Sequence, residues 1–91
     1  GHWIRFRLRL PSGGDAYGAT VSASIGNRRI HRDVQVSGSY LASSDPRVHI
    51  GLGKYDRIRK VSVRWPSGEI EEFGDFIGGE TIVLLFGEGQ P

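Results

Sequence analysis

The sequence predicts an all-β domain, a small antiparallel β-sandwich or open barrel of about seven short strands. In several segments every second residue is apolar, which is the pattern of a strand with one buried face. Gly-rich turns separate these segments at hairpin spacing, and no segment has a helical period of useful length. Together the alternation and the turn spacing favour a sandwich or barrel over any helical fold.

The first strand is predicted over residues 3–10, and its two faces differ in chemistry. One face carries four apolar side chains: Ile4, Phe6, Leu8 and Leu10. The other carries an indole and three guanidinium groups: Trp3, Arg5, Arg7 and Arg9. The second face is the best candidate for binding, because an arginine beside an indole can stack on a sugar, a base or another protein. The alternative is a solvated or domain-facing sheet surface.

The second and third strands are predicted over residues 19–25 and 28–36, with Gly26-Asn27 as a two-residue hairpin turn. Arg32 falls on the apolar face of the third strand. We therefore expect partial burial beside a carboxylate or a sheet-end position, unless a bulge turns the side chain outward. Asp15 or Asp45 could supply that carboxylate.

The second half of the sequence predicts four more strands, over 48–50, 58–65, 69–73 and 81–86. Pro66-Ser67-Gly68 is predicted to be the second hairpin turn. The polar strand 69–73 suits an exposed sheet edge. The near-continuous apolar run 81–86 predicts burial on both faces.

Residues 1–86 are predicted to form a single domain, and residues 87–91 a flexible C-terminal tail. Within the domain, the loop 37–46 mixes small residues with Tyr40, whose ring and hydroxyl could contact a ligand. Asp45 and Arg47 are close enough in sequence to form an ion pair. Tyr40, Asp45 and Arg47 are therefore further binding candidates.

The composition limits the possible chemistry. The 91 residues include no Cys, which excludes disulfides and thiolate metal sites, and the three His form no metal-ligand motif. No nucleophile motif is present, and Gly51-Leu52-Gly53-Lys54 lacks the spacing of a phosphate-binding loop. We therefore predict no catalytic residues, metal or cofactor. A formal net charge of only +2 and the lack of a long apolar run argue against nucleic-acid binding and membrane insertion.

Four segments together resemble the ASPIC/UnbV domain. They run from His2-Trp3-Ile4-Arg5-Phe6-Arg7-Leu8, through 15–21 and 39–53, to Val61-Ser62-Val63-Arg64-Trp65-Pro66-Ser67-Gly68. The resemblance implies an extracytoplasmic or secreted module that follows FG-GAP/VCBS-type β-propeller repeats, so the expected partner is an upstream β-propeller of the same chain. It also implies that any calcium belongs mainly to the propeller, and it implies no catalytic residues.

We therefore expect a non-catalytic interaction module of a larger secreted protein, which docks on the propeller and contributes to recognition of protein or glycan. One alternative is a carbohydrate-binding module of an extracellular degradative enzyme, with Trp3, Tyr17 or Tyr40 stacking on sugar. A second alternative is part of an enzyme active site, in which a polar cluster forms from Asp15, Arg32, Asp45 and His49.

Overall fold

The computed structural model describes residues 1–35 and 46–91, and these residues form seven strands and no helix. The strands are β1 (His2–Arg9), β2 (Thr20–Ile25), β3 (Arg28–Asp33), β4 (Val48–Gly53), β5 (Arg57–Arg64), β6 (Ile70–Ile77) and β7 (Thr81–Leu85). They form two open sheets, one with the order β4-β1-β7 and the other with the order β3-β2-β5-β6. The all-β prediction is confirmed, and the two open sheets form a small sandwich.

The core lies between the sheets because each long strand buries one of its two faces. In β1 the alternate residues Ile4, Phe6 and Leu8 are at most 1 % exposed. Phe6 packs edge-on against Phe76 of the other sheet, with ring centroids 5.6 Å apart. Trp65, which directly follows β5, is buried as well. Aromatic contacts of this geometry add to the free energy of apolar burial and help hold the two sheets together.

Both predicted hairpin turns are present. Gly26 and Asn27 join β2 to β3, and Gly26 has a φ of +57°, a conformation that favours glycine. At the second turn, the Trp65 amide donates to the Glu69 carbonyl oxygen at 2.8 Å. These turns fix the register of the β2–β3 and β5–β6 pairs.

The last strand differs from its prediction in direction and in burial. β7 runs parallel to β1, with Arg5 opposite Thr81 and Arg9 opposite Leu85, so the sandwich is not wholly antiparallel. β7 is also an edge strand, with Val83 53 % and Leu85 37 % exposed, so the prediction of burial on both faces was wrong. The reason is that no element of the described chain covers the outer face of this sheet. The prediction of an edge strand near 69–73 is confirmed, because β6 ends the four-stranded sheet.

A bulge interrupts β5. Ile58 and Val61 are both buried although they are three residues apart, and the pairing with β6 shifts register between them. Lys60 lies in the bulge with a φ of +52°, and it is the one non-glycine residue of the described chain with positive φ. The bulge inserts an extra residue and so restores the inward direction of Val61 and Val63.

The segment 87–91, predicted to be a flexible tail, lies against β6. The amide of Gln90 donates to the Glu72 carbonyl oxygen at 2.8 Å, and the Glu72 amide donates back to Gln90 at 2.7 Å. The Gly87 amide donates to the Glu71 carboxylate at 2.9 Å. The segment therefore contacts the exposed edge of the four-stranded sheet.

Candidate functional site

The outer face of the three-stranded sheet, here called the Trp3 face, combines apolar and cationic side chains. β1 places Trp3, Arg5, Arg7 and Arg9 on the face opposite its buried residues. Strand pairing sets His49 and Gly51 of β4 beside them on one side. On the other side it sets Thr81, Val83 and Leu85 of β7. This surface is built by three strands, of which the sequence predicted β1 as a binding face and named only His49 from β4.

A cleft opens on this face because one position has no side chain. Gly51 lies opposite Trp3 in the β1–β4 pair, and a methyl group placed on it would meet no atom within 4 Å. The resulting open cleft has a volume of about 360 Å³. Its lining is Trp3, Ile4, Arg5, His49, Ile50 and Gly51.

Arg5 lies over the Trp3 ring, with Cζ 4.6 Å from the ring centroid, in the geometry of a cation–π contact. Its Nε is buried and has no hydrogen-bond partner. A buried donor without a partner costs free energy in the isolated domain, and an acceptor would recover that cost only if the Arg5–Trp3 stack shifted to expose the Nε–H. Arg5 is thus the arginine of this face that is best suited to a binding role.

Arg7 and Arg9 organise the loop that follows β1. Arg7 donates from Nε to Asp15 Oδ1 at 2.9 Å and from Nη2 to Oδ2 at 3.3 Å, which makes a bidentate ion pair. The hydrogen bond from Arg7 lowers the pKa of the Asp15 carboxyl below its ordinary value, aided by the charges of Arg7 and Arg9 and opposed by desolvation. Arg9 donates to the Gly13 carbonyl oxygen at 2.8 Å.

The described members of the predicted polar cluster do not come together. Asp15 binds Arg7 of the three-stranded sheet, whereas Arg32 lies on β3 of the other sheet. Asp15 forms an isolated β-bridge with Arg9, and His49 lies opposite Arg5 in the β1–β4 pair. Arg5 and Arg9 are four positions apart on β1, so Asp15 and His49 are separated by about 13 Å along the strand. The exposed His49 and the half-buried Arg47 belong to β4 and to the residue before it. The predicted candidates Tyr40 and Asp45 lie outside the described residues.

Arg32 is exposed, so the expectation of partial burial was wrong, while the expectation of a sheet-end position agrees with its place on an edge strand. Its Nη1 donates to the neighbouring His31 carbonyl oxygen at 2.9 Å. The side chain points to the core side of β3, but an edge strand allows a long side chain to reach water around the rim of the sheet.

Sequence reasoning missed a hydroxyl-rich surface on the outer face of the four-stranded sheet. Ser22 and His31 are hydrogen-bonded there at 2.7 Å between Oγ and Nδ1, and Arg29 reaches Ser24 and Ser62. The outward alternation of Thr20, Ser22 and Ser24 signals one strand of this surface. The contribution of β5 depends on strand pairing, which the pattern does not give.

Within residues 1–35 and 46–91 there is no group of three or more His, Asp or Glu side chains placed to hold a metal ion. The same residues contain no helix long and apolar enough to cross a membrane.

The fold and the Trp3 face define a small β-sandwich domain that exposes an aromatic and cationic sheet surface. The chain belongs to the ASPIC and UnbV family, whose sequence profile matches residues 10–91 and confirms the predicted resemblance. The match begins just after β1, so the β1 residues of the Trp3 face precede the matched range. No curated protein and no solved structure matches the chain.

Proposed function

We propose that this chain is a non-catalytic interaction module that docks on a neighbouring β-propeller of the same polypeptide through the Trp3 face. The supporting observation is that Trp3, Val83 and Leu85 are 41 %, 53 % and 37 % exposed on one sheet face. Single exposed apolar residues are common, but a group of them on one face is typical of a protein contact surface. The propeller partner and an extracytoplasmic location are carried over from the family resemblance.

The two outer faces of the sandwich differ in a way that favours this assignment. On the four-stranded sheet, β2 and β5 present Thr20, Ser22, Ser24 and Ser62 outward, and these small polar residues suit contact with water. Its exposed apolar residues, Ile70 and Ile77, lie apart at the two ends of the edge strand β6 and form no group. The Trp3 face instead combines tryptophan, arginine and aliphatic side chains, and Trp and Arg are enriched at the centres of protein interfaces. Apolar docking would therefore use the three-stranded sheet.

The test measures binding of the 91-residue chain to the separately produced propeller by titration calorimetry. We expect Trp3→Ala and Val83→Ser each to weaken binding by roughly tenfold, the effect of losing about 1.4 kcal/mol of contact. Ile70→Ser is the matched control, because Ile70 is 59 % exposed but belongs to β6 of the other sheet. Unchanged affinity for Trp3→Ala and Val83→Ser, with circular dichroism intact, would refute docking through this face.

Carbohydrate binding is the second candidate, and the cleft beside Trp3 is the observation that favours it. A sugar ring could stack on the exposed part of the indole while Arg5 and His49 meet its hydroxyl groups. Gly51→Leu should fill the cleft, because the position is open and its φ is not positive. Gly14→Ala, in a loop away from the cleft, is the control.

A glycan array screened with the parent chain and both glycine variants tests this candidate. Binding that Gly51→Leu abolishes and Gly14→Ala retains would support a sugar site in the cleft. An array without a hit for the parent chain would exclude the glycans that it carries.

A further inference from the structure

The outer face of the four-stranded sheet carries a second organised surface, here called the Arg29 face. It consists of Arg29 and His31 from β3, Thr20, Ser22 and Ser24 from β2, and Arg59, Ser62 and Arg64 from β5. Strand pairing arranges these residues in rows across the sheet. Ser24 lies between Arg29 and Arg59, and Ser22 lies between His31 and Ser62. A strip of small hydroxyl side chains on β2 therefore runs between Arg29 and His31 on one side and Arg59, Ser62 and Arg64 on the other.

The Arg29 guanidinium is fixed across this strip by neutral acceptors. Its Nη1 donates to Ser24 Oγ at 3.2 Å and to the Lys60 carbonyl oxygen at 2.7 Å, and its Nη2 donates to Ser62 Oγ at 3.3 Å. An arginine has five N–H donors, so Nε–H and one Nη2–H remain. The group is oriented in advance and keeps its full positive charge, which is the state that an anion-binding arginine requires.

The neighbouring arginines are also without carboxylate partners. Arg59 donates to the Gly26 carbonyl oxygen at 3.0 Å, another neutral acceptor. Within the described parts of the chain, no ion pair involves Arg29, Arg59 or Arg64. Carboxylates occur at the margins of the face, where Asp33 accepts a hydrogen bond from Thr20 at 2.8 Å, Glu72 lies opposite Ser62, and Asp75 of β6 accepts the Lys60 amide at 2.9 Å. The centre of the face is therefore cationic.

We propose that the Arg29 face binds a sulfated polysaccharide chain. The guanidinium plane of Arg29 matches two oxygens of a sulfate group, and the serine hydroxyls can donate to further sulfate or sugar oxygens. The backbones of Arg29 and Arg59 are two strand spacings apart, about 10 Å, and the Arg29 side chain reaches across β2 to Ser62 on β5. One polyanionic chain lying on the strip could therefore contact both guanidinium groups.

The composition of the face favours a glycan over other polyanions and over a protein. Its eight residues include no Phe, Tyr or Trp, and its one aromatic ring, the His31 imidazole, is hydrogen-bonded to Ser22, whereas surfaces that bind single-stranded nucleic acid stack bases on several aromatic rings. None is apolar, and the exposed Ile70 of β6 lies opposite Arg64 at the edge of the face, so the centre of the face has no anchor of the kind that dominates protein interfaces. This site is separate from the Trp3 face, which belongs to the other sheet.

The test uses heparin as the probe and measures the affinity of the 91-residue chain by calorimetry at physiological salt. We expect Arg29→Gln and Arg64→Gln each to weaken binding by roughly tenfold, since a charge-assisted contact is worth about 1.4 kcal/mol or more. Arg29 also donates to the Lys60 carbonyl oxygen in the bulge, so Arg29→Gln alone could weaken binding by disturbing the fold. Arg64→Gln is the second variant, which separates loss of a heparin contact from such a folding defect. Trp3→Ala should leave heparin binding unchanged, whether or not it affects docking.

Arg32→Gln is the matched control. Arg32 is exposed on the same strand as Arg29, but it lies on the opposite face of the strand, and the variant removes the same charge. Equal losses for Arg32→Gln and Arg29→Gln would show a response to net charge alone and would overturn the proposal. So would the absence of heparin binding. Equally tight binding of an oligothymidylate that is weakened by the same variants would assign the face to nucleic-acid phosphates instead.

Discussion

The indole Nε1–H of Trp65 donates to Glu71 Oε1 at 2.7 Å, and the same carboxylate oxygen accepts the Gly87 amide at 2.9 Å. Trp65 is only 1 % exposed, and its ring packs edge-on against Phe73 and Phe86. One oxygen atom therefore satisfies a buried donor and ties the C-terminal segment to β6. An indole buried without such an acceptor would be costly, so the placement of this large residue in the core depends on Glu71.

Replacing Glu71 tests this dependence. Glu71→Ala should lower the free energy of unfolding by about 2–3 kcal/mol, because it leaves a buried N–H donor without a partner. Glu71→Gln should cost less, since the amide oxygen can still accept. Urea denaturation measures both values. Glu72→Ala is the control, because its exposed side chain should matter by no more than about 0.5 kcal/mol. Equal stability of the alanine and glutamine variants would contradict the assigned role.

The bulge at Lys60 predicts that a glycine at this position raises the free energy of unfolding. Lys60 has a φ of +52°, and it is held there by its amide donating to Asp75 Oδ1 at 2.9 Å and by its carbonyl oxygen accepting from Arg29. Left-handed backbone costs a non-glycine residue about 1–2 kcal/mol, of which the greater chain entropy of unfolded glycine offsets about half. Lys60→Gly should therefore raise stability by about 0.5 kcal/mol.

Lys60→Ala separates the backbone effect from loss of the lysine side chain, because it removes that side chain and retains the strain. Asp75→Ala should destabilise by about 1 kcal/mol through loss of the hydrogen bond that holds the bulge. Thermal and urea unfolding measure these changes. A Lys60→Gly variant less stable than Lys60→Ala would contradict the strain.

The Arg7–Asp15 ion pair predicts a pH dependence. The pKa of Asp15 is lowered in the folded state from its ordinary value of 3.8 by the hydrogen bond from Arg7. The stabilisation is thus fully present above the ordinary pKa and is lost as the pH falls through the lower, folded value. Asp15→Asn should cost about 1 kcal/mol at neutral pH, because the pair is partly exposed.

Unfolding of the parent chain and of Asp15→Asn, followed from pH 7 downward, tests this linkage. The difference between their stabilities should shrink below pH 3.8. A difference that stays constant into acid would show that the carboxylate charge does not contribute.

Local patterns predicted the strands and turns well, because alternation and turn chemistry act over a few residues. In β1 the apolar Ile4 and the outward Trp3 follow directly from the alternation. The position of β7 depends on contacts with β1, some seventy-six residues away in sequence at the Arg5–Thr81 pair, and no local pattern encodes it. Its apolar run indicated burial, whereas Val83 belongs to an exposed face.

In the candidate sites, too, the local pattern predicts some features, and strand pairing determines the others. The aromatic and cationic side of β1 was visible in the sequence, but the cleft beside Trp3 requires Gly51 of β4 opposite it. Asp15, one of two carboxylates that could have supplied a partner for Arg32, instead binds Arg7, because the loop after β1 folds back along that strand. Which charged residues pair across strands depends on strand order and register, and these are difficult to predict from a single sequence.

The Gly26 turn offers a final test, because its glycine is required for two separate reasons. The residue has a φ of +57°, and a Cβ atom placed there would lie 2.5 Å from Cζ and Oη of Tyr55. Gly26→Ala therefore adds left-handed strain to a clash that the exposed Tyr55 ring can relieve by moving, and we expect a loss of about 1–2 kcal/mol. In a Tyr55→Ala background the clash is absent, so the same change should cost only about 1 kcal/mol.

Gly68→Ala is the matched control for this cycle. Gly68 also has positive φ, +95°, in a hairpin turn, but a Cβ atom there would meet nothing within 4 Å. Its cost should be the same with or without Tyr55. Urea denaturation of the single and double variants gives the interaction energy between Gly26 and Tyr55 directly. A value near zero would mean that the tyrosine ring moves aside freely, and the turn would then depend on backbone conformation alone.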